Sequence, residues 1–463
     1  MRKRSGPVPT VLLIGGLAAT GIALPAHGPV DIFTTAAVGV GTSLAVTTAI
    51  EAAKSFRSLF RVDLLILWIL YGLTLLEFLF PQPGIDTVVS DAGAVDGTYA
   101  VLLAFFGIAI GRHLVPHRTR YGDLTVFAEL RARHVFLLFL LCTLVGYFHM
   151  FLAVNFDPFE IVRQVSLPRF SQAWSRERYG DASALLFELG ALIYLIPPIA
   201  GLVYARSNEY TLVQKLIVTI VLAFTFYSGF ASGTRNVFIS YVITFLGVYF
   251  LGSHQVTLRK LLLLGLPALA VFFFATIYMV EFRTVGLSNY SFRDHRDSQF
   301  FVDHNIVNIS RLTEVFPSQF EYLGLEIPFN ALIRPVPRVL WPGKPEGLSV
   351  TIETALSAGP GLTLACSFVG EAYMSGGFFA VLLFSLLFGM GAELWNRVGD
   401  HNSRSFEQLL YVSGFLCAAL GMRSMLSMMP FALPTLALWV FGKVWLARST
   451  PRGGARGASI SKP

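Results

Sequence analysis

The sequence predicts an all-α fold, a polytopic transmembrane bundle of about 12 spans. Three observations carry that expectation. Of 463 residues, 54% are hydrophobic and only 14% are charged, whereas soluble domains carry about 25% charged residues. The mean hydropathy is +0.63. The apolar residues also fall in runs close to the roughly 20 residues that a helix needs to cross a bilayer. A water-facing surface cannot be assembled from so few charges, so most of the surface must face lipid.

In chain order, spans are expected near residues 8–26, 31–50, 62–80, 98–115, 135–154, 183–204, 214–230, 236–252, 261–281, 372–395, 405–422 and 427–446. The opening Met1-Arg2-Lys3-Arg4 and its apolar run have the outline of a signal peptide. Further spans follow without a clear cleavage signal, so the segment reads as a first span with a positive inner flank. With that end inside, 22 of the 35 lysines and arginines fall on inner segments and 13 on outer ones. This asymmetry places both ends in the cytoplasm. Residues 1–463 then form one integral membrane domain, with residues 447–463 a basic, disordered cytoplasmic tail. Cys142, Cys366 and Cys417 lie in or beside apolar segments and read as small packing residues.

Residues 282–371 are the one outer stretch large enough for an extramembrane subdomain, and long structureless loops are uncommon. Short helices are expected near Ile306–Val315 and Gly347–Leu356, separated by an extended, proline-rich stretch from Pro328 to Pro345.

Twelve of the 13 outer cations are arginine. Arginine binds phosphate and carboxylate through a planar fork and stays charged when partly buried. An arginine-dominated face beside a bilayer suits a lipid-linked phosphate. The plainer reading is that these arginines pair with Asp294, Asp297, Asp303 or Glu314. Arg235 and Arg423 differ from the others, because each sits in a very short connection at a helix end. Arg235 opens the eighth span, where free amide N–H groups favour an anion, and Gly233 permits close backbone approach. Snorkelling to headgroups is the alternative for both. Glu371 is placed at the start of the tenth span, either complementing the helix dipole or acting as a general base. His295 and His304 are the histidines of the large loop, and neither has a metal-ligand partner at useful spacing. No metal-binding motif and no glycine-rich phosphate loop appears, which argues against ATP-driven chemistry.

Three stretches bear a family resemblance: Phe170 to Gly180; Ser232-Gly-Thr-Arg-Asn236; and Pro337-Arg-Val-Leu-Trp-Pro-Gly-Lys-Pro-Glu346 followed by Ser367 to Gly377. Together they resemble the Wzy-type O-antigen or oligosaccharide repeat-unit polymerases. The resemblance implies a helical bundle of the C-type glycosyltransferase kind in a bacterial inner membrane, with residues 282–371 periplasmic. It implies polymerisation of undecaprenyl-diphosphate-linked repeat units without metal, nucleotide sugar or other cofactor. Membrane lipid, a flippase and a chain-length regulator of the same pathway are the implied partners, and nucleic acid is not. Arg169 and Gly180 match the spacing of an arginine, ten residues and a glycine found in related polymerases. On this reading Glu371, Arg235, Arg338 and Arg423 are the catalytic candidates, with Asp303 or His304 as second choice for the base. Arg176, Arg178, Trp341, Tyr373, Lys344 and His304 would bind substrate, and Trp174 could stack on a sugar. The alternatives are an O-antigen ligase, which transfers glycan to lipid A–core, and a lipid-linked oligosaccharide transporter.

Overall fold

The computed structural model describes residues 6–116, 127, 129–174, 189–253, 256–291, 300, 302–336, 338, 340–345, 347–359, 363–400 and 404–449, and all its regular elements are helical. Among the described residues, nine helices are long and apolar enough to cross a membrane. They are α2 (Pro29–Lys54), α4 (Asp91–Gly111), α5 (Ala132–Ala153), α8 (Leu212–Ala231), α9 (Arg235–Gly252), α10 (Leu258–Val285), α14 (Ser367–Asp400), α15 (Ser405–Arg423) and α16 (Met425–Ser449). Shorter apolar helices occupy the other three segments read as spans: α1 (Pro7–Ile22), α3 (Val62–Thr74) and α7 (Ile196–Ala205), the last preceded by a 3-10 turn over Gly190–Leu195. This is a multi-pass helical membrane protein. Contacts between helix ends define two ends of the bundle: Thr10, Arg61, Arg112 and Glu393 meet at a terminal end, and Arg235, Asp303 and Arg423 meet at a loop end. The loop end carries the segment between α10 and α14.

That segment folds onto the bundle through α11 (Asn305–Val315), α12 (Glu326–Ile333) and α13 (Ile352–Ala355), with α6 (Pro158–Val165) on the same end. The helix expected near 306–315 is α11, and the one near 347–356 is reduced to the single turn of α13. The stretch from Pro328 is not extended as expected: its first residues belong to α12. Pro328 is only the third residue of that helix, where a missing N–H is tolerated because the first turn lacks acceptors for its amides.

Helix α4 organises the packing through small residues. Side chains cannot be accommodated where its backbone meets its neighbours: a Cβ on Gly111 would lie 2.3 Å from Leu386 O, and one on Gly97 would lie 2.7 Å from Ser310 Cα. The spacings Gly93-x3-Gly97 and Gly107-x3-Gly111 are the small-residue pattern that lets helices approach closely in lipid. The first pair seats α11 and the second seats α14.

Helix α14 is broken. Gly376 (φ 177°, ψ 39°) and Gly377 (φ 62°, ψ −152°) leave the helical region, and a Cβ on Gly377 would lie 2.7 Å from the Tyr322 hydroxyl. The break frees carbonyls that need donors. The Leu323 and Gly324 N–H groups supply them, to Met374 O and Ser375 O at 2.9 Å each.

At the terminal end the bundle encloses an ion network. Asp63 accepts from Arg61 Nε at 2.9 Å, Arg112 Nη1 at 3.0 Å and Asn396 Nδ2 at 2.6 Å, and Glu393 accepts from Arg61 Nη2 at 3.1 Å. Arg61 and Arg112, counted above among the cations of the inner segments, are buried. Their partners make burial tolerable, since an unpaired charge in such a setting is very unfavourable.

Candidate functional site

The loop-end cluster is built from a turn that three buried polar side chains hold in place. The Glu77 carboxylate, on a 3-10 turn after α3 and fully buried, accepts from Val302 N at 2.6 Å. Gln82 Nε2 donates to Phe300 O at 2.8 Å. Asn305 Nδ2 donates to Leu73 O at 2.9 Å, and its Oδ1 accepts from Ser367 N at 2.9 Å. Pinned in this way, Asp303 (φ 58°) and His304 (φ 45°) both take left-handed backbone just before α11. For residues other than glycine this conformation costs about 1–3 kcal/mol each and tends to mark functional turns.

The turn presents Asp303 and His304 to two arginines from other helices. Arg235, the first residue of α9, bonds to Asp303 through Nη2 and donates from Nη1 to Thr276 O at 3.2 Å. Arg423, the last residue of α15, approaches Asp303 from the other side, with Nη2 at 3.9 Å. Arg169 Nη1 donates to Thr234 Oγ1 at 2.9 Å, at the residue that precedes α9. His304 Nδ1 lies 3.5 Å from Glu77 Oε1. Side-chain exposure rises outward from 9% at Arg235 to 27% at Asp303, 32% at His304 and 35% at Arg423. The cluster therefore opens to solvent on one side and rests on buried acid on the other. Two guanidiniums flank one aspartate, and a fork of this kind donates to phosphate oxygens as readily as to carboxylate. Gly233 (φ 66°) does allow a close approach, but it is to the α10 backbone: a Cβ there would lie 2.6 Å from Arg283 N.

Glu371 sits elsewhere than expected. The helix begins at Ser367, so Glu371 is a turn inside it, buried, and not at its start. Its oxygens accept from Ser424 Oγ at 2.6 Å, Met425 N at 2.5 Å and Leu426 N at 3.4 Å. It complements the dipole of α16 and not that of its own helix. These bonds occupy both oxygens and tie Glu371 to the joint that carries Arg423.

The other candidates divide as follows. Tyr373 is buried against the rings of Tyr322 and Phe378, and Trp174 is buried too, so neither offers a face to a sugar. Arg338 and Lys344 brace a hairpin after α12: Arg338 donates to Lys344 O and Pro345 O, and Lys344 Nζ donates to Arg334 O and Val336 O. Trp341, in that hairpin, is partly exposed. Arg176 and Arg178 lie outside the described residues, as do Asp294, His295 and Asp297. Among the described residues, no three His, Cys, Asp or Glu side chains gather in a metal-binding group.

No protein-family model, no curated protein and no solved structure matches this chain. The chemistry of the cluster therefore has to be argued from its own geometry. Sequence reasoning found Arg235, Arg423, Asp303 and His304 one at a time. It missed Glu77, whose signal was a lone acid in the apolar run Leu75-Leu76-Glu77-Phe78, where a charge is a functional hypothesis by default. It also missed Gln82 and Asn305, for which no local signal exists.

Proposed function

We propose that the protein is a Wzy-type repeat-unit polymerase, which joins undecaprenyl-diphosphate-linked oligosaccharides at the periplasmic face of a bacterial inner membrane. On this reading the apolar helices make 12 spans, both ends of the chain are cytoplasmic, and the loop end is periplasmic. The observation that supports it most is the convergence of Arg235 and Arg423 on Asp303, beside the His304–Glu77 pair, at the boundary of the apolar helices.

Each of these groups has a task in the reaction. The acceptor hydroxyl attacks the anomeric carbon of the growing chain, and a new glycosidic C–O bond forms as the C–O bond to the lipid diphosphate breaks. The electron pair leaves with the diphosphate, whose developing charge falls to Arg235 and Arg423, with Arg169 at the rim. Preorganised donors of this kind are strongest in a partly dry site. The hydroxyl proton passes to His304, whose Nδ1 lies 3.5 Å from the Glu77 carboxylate, where the acid favours the protonated ring. Glu371 holds Arg423 in place through the α15–α16 joint.

The test is reconstitution. The purified protein is placed in liposomes with one lipid-diphosphate repeat unit as sole substrate and a chelator present. A ladder of lengthening products is expected. Transfer only after lipid A–core is added would make the protein a ligase instead. Neither product, across several repeat units, would remove the glycosyl-transfer reading and favour a transporter.

A further inference from the structure

The terminal end holds a second polar feature beside the ion network. The last turns of α7 and α9, the first turn of α15 and the 3-10 turn Phe56–Phe60 enclose a cavity of about 460 Å³, within the roughly 300–1,000 Å³ of small-molecule sites. Its elements meet at Gly252, where a Cβ would lie 3.0 Å from Ala205 Cβ and 3.6 Å from Gln408 Oε1. Glu209, at the end of the 3-10 turn Ser207–Glu209, lines the same cavity. Three residues later α8 begins, and its first turns expose Leu212, Val213 and Leu216. Helix α8 is one of those long and apolar enough to cross a membrane. The cavity therefore lies where the apolar surface starts, at the level of lipid head groups.

The α15 side of the cavity is rich in unused donors. Arg404, the residue before the helix, offers no side-chain cap. Ser405, Phe406 and Glu407 are nonetheless buried, and among the described residues nothing accepts from their amides. A buried helix start ordinarily has partners. Ser405 is only 3% exposed and lines the cavity, and its hydroxyl too has no partner among the described residues. Gln408 lines the cavity one turn on, and Arg57 lines it with a single long contact, 3.5 Å from Nη2 to Ser253 O. The α7 side has the opposite character. Arg206 is shared there: its Nη2 donates to Glu129 Oε1 at 3.1 Å, and its Nε lies 3.8 Å from Glu209 Oε1. The Glu209 side chain is 47% exposed and only loosely held. The C-terminal ends of α7 and α9 add partial negative charge.

We infer that this cavity binds the head group of a membrane phospholipid of the ethanolamine class. The phosphate takes Arg57, Ser405 and the free amides of α15, and the ammonium takes Glu209 and the carbonyl end of α7. Both signs of charge on the lining select the ligand. A phosphate alone would face the Glu209 carboxylate, and an ammonium alone would face Arg57, whereas a zwitterion meets a partner at each end. An ethanolamine ammonium donates hydrogen bonds to these acceptors, which a choline cannot. The apolar start of α8 gives the acyl chains a surface to follow. The site lies at the opposite end of the bundle from Arg235 and Arg423 and does not rest on the polymerase reading.

The test uses the full chain in detergent, titrated with short-chain phosphatidylethanolamine, phosphatidylcholine or phosphatidylglycerol, with bound molecules counted by native mass spectrometry. Phosphatidylethanolamine should bind at least about tenfold more tightly than either of the others. The double variant Arg57→Ala with Ser405→Ala should lose at least about tenfold of that affinity. Glu209→Gln should abolish the preference for phosphatidylethanolamine over phosphatidylglycerol. Equal binding of the three lipids, or unchanged binding by the Arg57 and Ser405 variant, would reduce the contacts to bulk lipid and overturn the proposal. Tighter binding of phosphatidylglycerol would leave an anion site with no seat for an ammonium, and would overturn it as well. Soluble glycerophosphoethanolamine separates the two sources of the same head group. Failure to displace the lipid at equal concentration supports a membrane lipid, and full displacement makes the ligand a free phosphoester and overturns the lipid identity. The lipid comparison on the wild type needs no substitution, so it decides the matter even where a variant fails to fold.

Discussion

The two ends of the bundle each hold an aspartate between two arginines, and the pairs could hardly differ more in setting. At the terminal end Asp63 takes hydrogen bonds of 2.9 and 3.0 Å from Arg61 and Arg112, and the side chains of all three are at most 2% exposed. Asn396 and Glu393 complete the network. At the loop end Asp303 meets Arg235 closely but Arg423 only at 3.9 Å, and all three side chains reach solvent to some degree. The closed cluster spends its charges on one another and fastens α3, α4 and α14. The open one keeps an arginine loosely engaged, which is what a site for an incoming anion requires. On the proposed reading, the same residue types serve structure at one end and chemistry at the other, according to geometry and access to water.

The comparison can be broken by paired variants. The largest effect is expected from Asp63→Asn, which leaves Arg61 and Arg112 short of their shared partner. Removing one member of a buried ion network costs about 3–5 kcal/mol, so folded protein should fall sharply in detergent thermal melts. Asp303→Asn, where Arg235 keeps its bond to Thr276 O and Asp303 is partly exposed, should shift the same melt by less than Asp63→Asn does. Equal losses from the two variants would end the distinction between the clusters.

Next come the activity variants, which sharpen the comparison from the loop end. Arg235→Lys and His304→Gln should insert and melt like the wild type, yet each should lower polymer formation by about 10²–10³-fold in the liposome assay. Near-normal ladders from Arg235→Lys would remove Arg235 from the reacting centre. Glu77→Gln should have a smaller effect, on the order of tenfold in kcat with KM unchanged, as fits a group that acts by orienting His304. A rise in KM instead would place Glu77 in substrate binding. Smallest of all, Arg163→Ala removes an exposed pair with Glu160 at 3.3 Å and should change stability by no more than about 0.5 kcal/mol.

Much of the architecture was legible because lipid imposes long apolar runs: among the described residues nine of the twelve appear as helices long enough to cross a membrane, and the other three hold shorter apolar helices. Helix α11 could also be read, as a short amphipathic helix near Ile306–Val315. Helix α12 could not, because Pro328 reads in sequence as the start of an extended stretch, whereas it lies in a first turn. The glycine spacings on α4 were present in the sequence but went unread. Residue types and positions at helix ends singled out Arg235 and Arg423. What could not be seen was pairing over distance. Glu371 finds its partners 53 and 54 residues later, and Arg61 finds Glu393 across 332 residues. A charge at the end of an apolar run looks the same in sequence whether it faces water or a buried carboxylate.

The break in α14 has a practical consequence. Leu323 and Gly324, in the segment between α11 and α12, donate their amides to carbonyls of a helix that continues into the bundle. The segment between α10 and α14 is thus stitched to the span and is not an ectodomain hung beside it. Expressed alone it would lose the acceptors that complete its own backbone, and the span would lose its caps in return. Antibodies, crystallisation chaperones and inhibitors against the loop end should therefore be selected on the intact membrane protein and not on an excised loop.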